Sequence, residues 1–421
     1  MVKILVQPLQ TLPILEQWDC HNCGVCCYGN IIRLDDDDLA RIKAQRWEDD
    51  PDYRGVRTVV SHGLVNKTYT LAQRPDGGCV FLTPQGRCRI HEVHGYDAKP
   101  RICKTFPLQV VPVENAAILT TRRSCPSAAQ NKGRPLAEHI AAVEQLVAPE
   151  LAEIGGQPPP LISRGLSRDW RDTRRAAGAL ERLMTDRRFP LVRRWIHGLQ
   201  FCQLIADCRG RKLHSLKSPE FAELMSIFES AALEGAGPWF SERTAPAKWA
   251  AALFRQAGGE YLRPHPRSAA QPNWRERLRL GRAAWALARG KGKLPQLVAG
   301  FRAETFEDLE GPLGALSPDV LTPLDAYYET LIASWRYAAL GYRGWSLVEG
   351  YRAAALSFAV ALWLFRWASG DSRRSDEIIP IIGCLDRSQG YAPLVGARHR
   401  RRVNTLAQDG QLHRLVTWYA R

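Results

Sequence analysis

Beyond residue 160, apolar positions return every three to four residues, the spacing that places side chains on one face of an α-helix. This periodicity predicts helices over roughly 168–187, 190–209, 218–234, 246–257, 274–289, 323–340 and 346–369. Gly235-Ala236-Gly237-Pro238 and Gly290-Lys291-Gly292 separate some of them. The first 150 residues read differently. Residues 3–17 form a short extended entry carrying Ile4, Val6, Leu9, Leu12 and Ile14. Ile31-Ile32-Arg33-Leu34 then meets Asp35-Asp36-Asp37-Asp38, where Asp35 suits an N-cap and the following acids suit the positive end of a helix dipole. Calcium would need alternating ligands and a central glycine, which this run lacks.

From Lys67 to Thr121 the pattern is strand and turn. Pro75-Asp76-Gly77-Gly78 turns into a strand at Cys79-Val80-Phe81-Leu82, and Pro84-Gln85-Gly86 turns into Arg87-Cys88-Arg89-Ile90. Phe106–Val113 and Ala116–Thr121 read as a hairpin across Glu114-Asn115, and Cys125 opens a helix. Ile154-Gly155-Gly156-Gln157-Pro158-Pro159-Pro160 reads as a linker. The expected fold class is therefore α+β: a small cysteine-rich α+β domain over 1–150, then a mainly α-helical domain over 161–421.

Charge divides along the same line. Residues 1–150 hold 18 Lys+Arg against 17 Asp+Glu, which leaves 40 against 26 for the remainder. An acidic partner, such as an acidic protein surface, is thus to be sought on the helical part. The densest basic run is Ala397-Arg398-His399-Arg400-Arg401-Arg402, read as a solvated helix face, since no nucleic-acid motif accompanies it. The longest mainly apolar run, Ala353–Phe365, is too short to span a bilayer and reads as a buried helix. The N-terminus shows no secretory pattern, and the odd count of 11 cysteines argues against a disulfide framework; a cytoplasmic protein with reduced thiols is expected. The tail tryptophans, among them Trp239, Trp249, Trp274, Trp285, Trp335, Trp345, Trp363 and Trp367, read as helix-packing residues.

Chemistry concentrates in the cysteines. Cys20, Cys23, Cys26 and Cys27 follow a C-x2-C-x2-C-C spacing, and Cys79, Cys88, Cys103 and Cys125 lie downstream. Thiolates are soft donors, and two intervening residues let the chain curl so that successive sulfurs face one ion or cluster. Eight thiolates suit two four-sulfur sites, or one site plus accessory cysteines. The spacing is compatible with zinc and with an iron–sulfur cluster. His21, His91 and His94 are read as surface or supporting residues, and Cys202, Cys208 and Cys384 as apolar packing residues. Arg122-Arg123 and Arg101 are candidates for stabilising negative charge on the thiolates.

The Cys20–Cys27 run, Cys79-Val80-Phe81-Leu82, Gly86-Arg87-Cys88-Arg89-Ile90-His91 and Pro100-Arg101-Ile102-Cys103-Lys104-Thr105-Phe106-Pro107 occur in an order that resembles the CxxCxxCC family of zinc- or iron-chelating domains. Ser124-Cys125-Pro126-Ser127-Ala128-Ala129, with the helical tail behind it, is similar to the flagellin lysine-N-methylase branch. The resemblance implies a metal or iron–sulfur centre and methyl transfer from S-adenosylmethionine to a lysine of a protein substrate such as flagellin. The residues themselves carry no S-adenosylmethionine signature: Glu234-Gly235-Ala236-Gly237 follows a helical stretch rather than a strand, and no C-x3-C-x2-C trio occurs. A chelating or structural module whose basic helical part docks a partner, and a redox iron–sulfur protein, are the other two expectations.

Overall fold

The computed structural model describes the chain except for residues 1–8, 64–65, 154–157, 209, 242–243, 263–273, 298–300, 302–304, 340–341, 343, 370–374 and 390–395. Ile4, Val6 and most of the expected linker therefore lie outside the described residues. The architecture is α+β: strands and short helices come first, and a mostly helical body follows.

Three small sheets build the N-terminal part. Strand β1 (Leu9–Thr11) lies parallel to β7 (Ala116–Thr121), which pairs antiparallel with β6 (Leu108–Val113). β2 (Gln17–Trp18) pairs with β8 (Arg134–Pro135), and β5 (Thr68–Leu71) sits between β3 (Arg33–Leu34) and β4 (Val59–His62). The hairpin turns at Glu114, whose φ of 55° is left-handed, with Val113 opposite Ala116. Its side chains alternate between two cores. Val111, Val113 and Ile118 face the helical body, whereas Val110, Ala117 and Leu119 face α5 (Ile140–Glu153).

Helix α1 (Asp36–Ala44) begins as its sequence dictates, with Asp35 accepting from the Asp38 amide at 2.7 Å. Leu39 and Ile42 then pack into a separate core with Trp47, Tyr53, Phe81 and Ile90, in which the Trp47 and Phe81 rings lie 4.8 Å apart. Two local expectations are corrected here. Cys79–Leu82 is not a strand: it makes only isolated bridges, from Cys79 to Gln73 and from Leu82 to Cys88, and folds back so that Leu82 donates to the Cys79 carbonyl. The turns on either side leave too few residues for a ladder. Arg89 likewise opens helix α2 (Arg89–His94), which stops at Gly95 with φ 84°. The short helices α3 (Arg101–Thr105) and α4 (Pro126–Ala129) complete this part.

The helical body comprises α6 (Trp170–Thr185), α7 (Leu191–Asp207), α8 (Gly210–Ser215), α9 (Ser218–Glu234), α10 (Pro238–Ser241), α11 (Lys248–Leu262), α12 (Trp274–Arg289), α13 (Pro318–Ala333), α14 (Leu347–Ser369), α15 (Ile378–Ser388), α16 (Ala397–Leu406) and α17 (Gln411–Tyr419). α14 is 23 residues long, enough by length and composition to cross a bilayer, yet 94 % of its most apolar stretch is buried. α7, α11, α15, α16 and α17 surround it, so it is the central core helix.

Two expectations about surface residues change. The Ala397–Arg402 run is helical but only partly solvated: His399 is buried, Arg400 pairs with Glu349 at 2.6 Å and Arg402 with Glu260 at 3.1 Å. Trp335, Trp345, Trp363 and Trp367 are buried as packing residues, whereas Trp249, Trp274 and Trp285 are exposed.

A buried ionic network joins the two parts. Asp386 of α15 receives Arg122 Nε at 2.9 Å and the Ser124 amide at 3.0 Å, and also pairs with Arg336. Arg123 reaches Glu16 and the Thr330 hydroxyl, each at 3.3 Å. Burial alone would raise the Asp386 carboxyl; Arg122 and Arg336 outweigh it and hold the group well below the usual carboxylate range. Arg122 and Arg123 thus serve the junction with the helical body, where the sequence allowed either support of the thiolates or ordinary solvated charges.

Candidate metal centre

The Cys20–Cys27 loop is shaped by two left-handed residues, Asn22 (φ 50°) and Gly24 (φ 70°). Gly24 is required for a second reason: a side chain there would come within 2.7 Å of the Gly86 carbonyl, against which the loop packs. Val25–Cys27 then form one 3-10 turn, closed by the Cys27 amide donating to the Gly24 carbonyl at 2.9 Å. The Cys79 amide donates to the Cys27 carbonyl at 2.8 Å, fixing Cys79 beside the loop. A bridge between Leu82 and Cys88 brings the Cys88 backbone back to the same segment.

Cys103 arrives on α3, which is positioned from a distance. The buried Asp38 accepts the Arg101 amide through both carboxylate oxygens, at 3.0 and 3.2 Å, and so ties the start of α3 to α1. Cys125 stands at the head of α4, packed with Trp18 and Ala128. On the loop side, His21 Nδ1 lies 2.7 Å from the Ser127 hydroxyl.

All eleven cysteines carry free thiols. Cys79 and Cys125 are buried, Cys26, Cys27, Cys88 and Cys103 are half-buried, and Cys20 and Cys23 are exposed at the open end of the loop. Their electrostatics link most of the set through Cys26. The Cys26 thiol is pushed well above the ordinary thiol value, first by its hydrogen bond with Cys27 and then by burial. Burial pushes the Cys79 thiol up to about 11, with Cys88 and Cys26 adding to the shift. Cys103 is also raised well above the ordinary value, by burial and then by Cys79, Cys88 and Cys26. Burial raises Cys125 too, and Cys26 adds to it. Lys99 pulls Cys26 and Cys103 the other way.

The physical meaning is direct. Burial and neighbouring sulfurs favour the protonated form of Cys26, Cys79, Cys103 and Cys125. A dication among them reverses the sign and releases those protons. The candidate donors are thiols throughout, which fits a soft or borderline metal rather than calcium or magnesium. Among the described residues, no three Cys, His, Asp or Glu side chains are already arranged to hold one ion.

One pH response follows. The folded value of Cys79 lies above the unfolded value of 9.0, so its contribution to stability is complete below pH 9.0 and is lost as the pH rises through about 11. Urea unfolding of the metal-free protein is expected to show a midpoint that falls across that window. An unchanged midpoint would contradict the assigned burial.

The remaining candidates take other roles. Arg101 Nε faces Asp35 at 3.5 Å. His94 packs edge-on against Trp47, and His91 against Tyr96. Cys202 is fully buried in the helical core, and the Cys384 thiol donates to the Tyr261 carbonyl. Sequence reasoning missed Asp38, whose partner lies 63 positions away. It also missed a cavity of about 920 Å³ at the junction, lined by Leu15, Asn131, Arg187, Arg194, Asp325 and Glu329 among others. None of the eight N-terminal cysteines lines that cavity, and its charged wall is internally paired, with Arg194 on Glu329 at 2.7 Å and Arg187 on Glu329 at 2.8 Å.

Comparison with known proteins supplies one match. Residues 19–126 fit the model of the CxxCxxCC family, described as "Putative zinc- or iron-chelating domain". That span contains all eight candidate cysteines, with Cys125 near its end. No curated protein and no solved structure matches the chain.

Proposed function

We propose that this chain is a thiolate metal-binding protein whose centre takes its donors from Cys20, Cys23, Cys26, Cys27, Cys79, Cys88, Cys103 and Cys125. The observation that carries the reading is the placing of Cys79 beside the Cys20–Cys27 loop, its amide donating to the Cys27 carbonyl at 2.8 Å, with Cys26 adding to the elevation that burial gives the Cys79, Cys103 and Cys125 thiols. Zinc and an iron–sulfur cluster both suit a thiolate set of this kind. The exposed Cys20 and Cys23 are the donors that must move, so binding closes the loop over the half-buried group. The metal then ties the loop to the Cys79–Cys88 segment and to α3, and its binding energy becomes folding energy for this layer. The finer activity, methyl transfer from S-adenosylmethionine to a protein lysine, rests on the resemblance alone.

Loop closure is tested by alkylation. With zinc or iron bound, iodoacetamide is expected to label Cys20 and Cys23 at least about tenfold more slowly than after chelation, because a metal-bound thiolate is withheld from the reagent. Equal labelling of these two residues in both states would remove them from the donor set.

A further inference from the structure

Helix α12 carries its largest side chains on the outside. Trp274 is 70 % exposed, Leu278 49 % and Trp285 64 %, while the residues it buries are Ala283 and Leu287, the latter packed against Gly259 of α11. At 100° per residue, Trp274, Leu278 and Trp285 fall within about 40° of one another, opposite the buried side. Eleven residues separate the two tryptophans, about 16 Å along the axis. Arg275, Arg282 and Arg289 border one side of the stripe and Arg277 the other, whereas Glu276, the one acid of the helix, falls on the inward side. Such a ridge is costly in water and useful only against a partner that is apolar at its centre and negative around it.

We propose that α12 is a docking ridge for an anionic lipid surface. An in-plane membrane helix has this arrangement: Trp and Leu enter the boundary between headgroups and chains, and arginines extend their stems outward to lipid phosphates. Charge complementarity selects an anionic surface. Geometry selects a bilayer over single-stranded nucleic acid. Aliphatic Leu278 separates the aromatic rings and interrupts any stacking track for successive bases. A guanidinium already covers each ring, Arg275 over Trp274 at 5.3 Å and Arg289 over Trp285 at 5.2 Å, which leaves less ring face for base stacking. A fluid bilayer needs no matching groove. The helix lies on the surface and does not span it.

The test is co-sedimentation of the full-length protein with phosphatidylcholine vesicles, with and without phosphatidylglycerol, accompanied by tryptophan fluorescence. Anionic vesicles should bind the protein at least about tenfold more tightly than neutral ones, with a blue shift and with weakening at high salt. Trp274→Ser/Trp285→Ser should lose the blue shift and most of the binding. Arg275→Glu/Arg282→Glu should lose the preference for phosphatidylglycerol. All four side chains are outside the core, so circular dichroism should match wild type, and a variant that fails this check is replaced by the single substitutions. Failure to bind either vesicle, equal binding to both, or unchanged binding by the tryptophan variant would overturn the proposal. So would tryptophan-dependent binding to single-stranded DNA without vesicle binding, or self-association abolished by the same variant.

Discussion

Cys26→Ser is expected to lower the affinity for zinc or iron by more than about 100-fold, since removal of even an indirect partner of a metal ligand costs about 10–100-fold. Cys26 is the thiol that Cys79, Cys103 and Cys125 each sense, and it shares a hydrogen bond with Cys27. A serine hydroxyl is a hard, neutral group that does not ionise at neutral pH, so the substitution removes a soft anionic donor from the middle of the set. The readout is metal retained after dialysis against a competing chelator, and Cys208→Ser on the helical body provides the control. Free metal at 1,000 times its dissociation constant stabilises the folded protein by about 4 kcal/mol, and most of that should vanish with the variant. Retention equal to that of the control would place the metal elsewhere.

The second large effect belongs to the junction. Asp386→Ala should destabilise the protein by about 3–5 kcal/mol, because it removes the buried carboxylate that Arg122 and Arg336 share. Asp386 is fully buried, and its partners come from both parts of the chain: Arg122 and the Ser124 amide from the N-terminal part, Arg336 from the helical body. Arg336 also donates to the Thr121 carbonyl at 3.2 Å, so the charge change is felt on the hairpin as well. Asp386→Asn keeps the shape and some of the hydrogen bonds and should cost less. Urea denaturation followed by tryptophan fluorescence measures both. A loss near zero for the alanine variant would mean that water reaches the pair and that the network contributes little to the junction.

How much of this could be read from the sequence depended on distance along the chain. α9 and α12 match the predicted spans of 218–234 and 274–289, because long apolar periods survive in any context. The hairpin appeared for the same reason, its alternation and its two-residue turn being local. α16 was harder, since Arg398, Arg400, Arg401 and Arg402 crowd the positions that surround its inward residues Val403 and Leu406. The short segment Cys79–Leu82 has strand composition without a strand partner, and composition won the prediction. In α12 the size of tryptophan suggested a core, whereas the arginines around it were the better signal.

At the site, the candidate ligands were legible because a thiolate set writes itself into spacing. What holds them was not. Asp38 meets Arg101 across 63 positions, and Arg122 meets Asp386 across 264. No local pattern marks either pairing. Arg122 beside Cys125 looked like a neighbour of the thiolates, and only the fold turns it toward α15.

The most direct test of the metal centre is the content of the intact protein, purified without oxygen and assayed for zinc, iron and acid-labile sulfide. The account predicts zinc without sulfide, or iron with matching sulfide, bound at stoichiometric level and lost from the Cys26→Ser variant. Protein that carries neither metal and takes up neither when they are supplied would contradict the central claim.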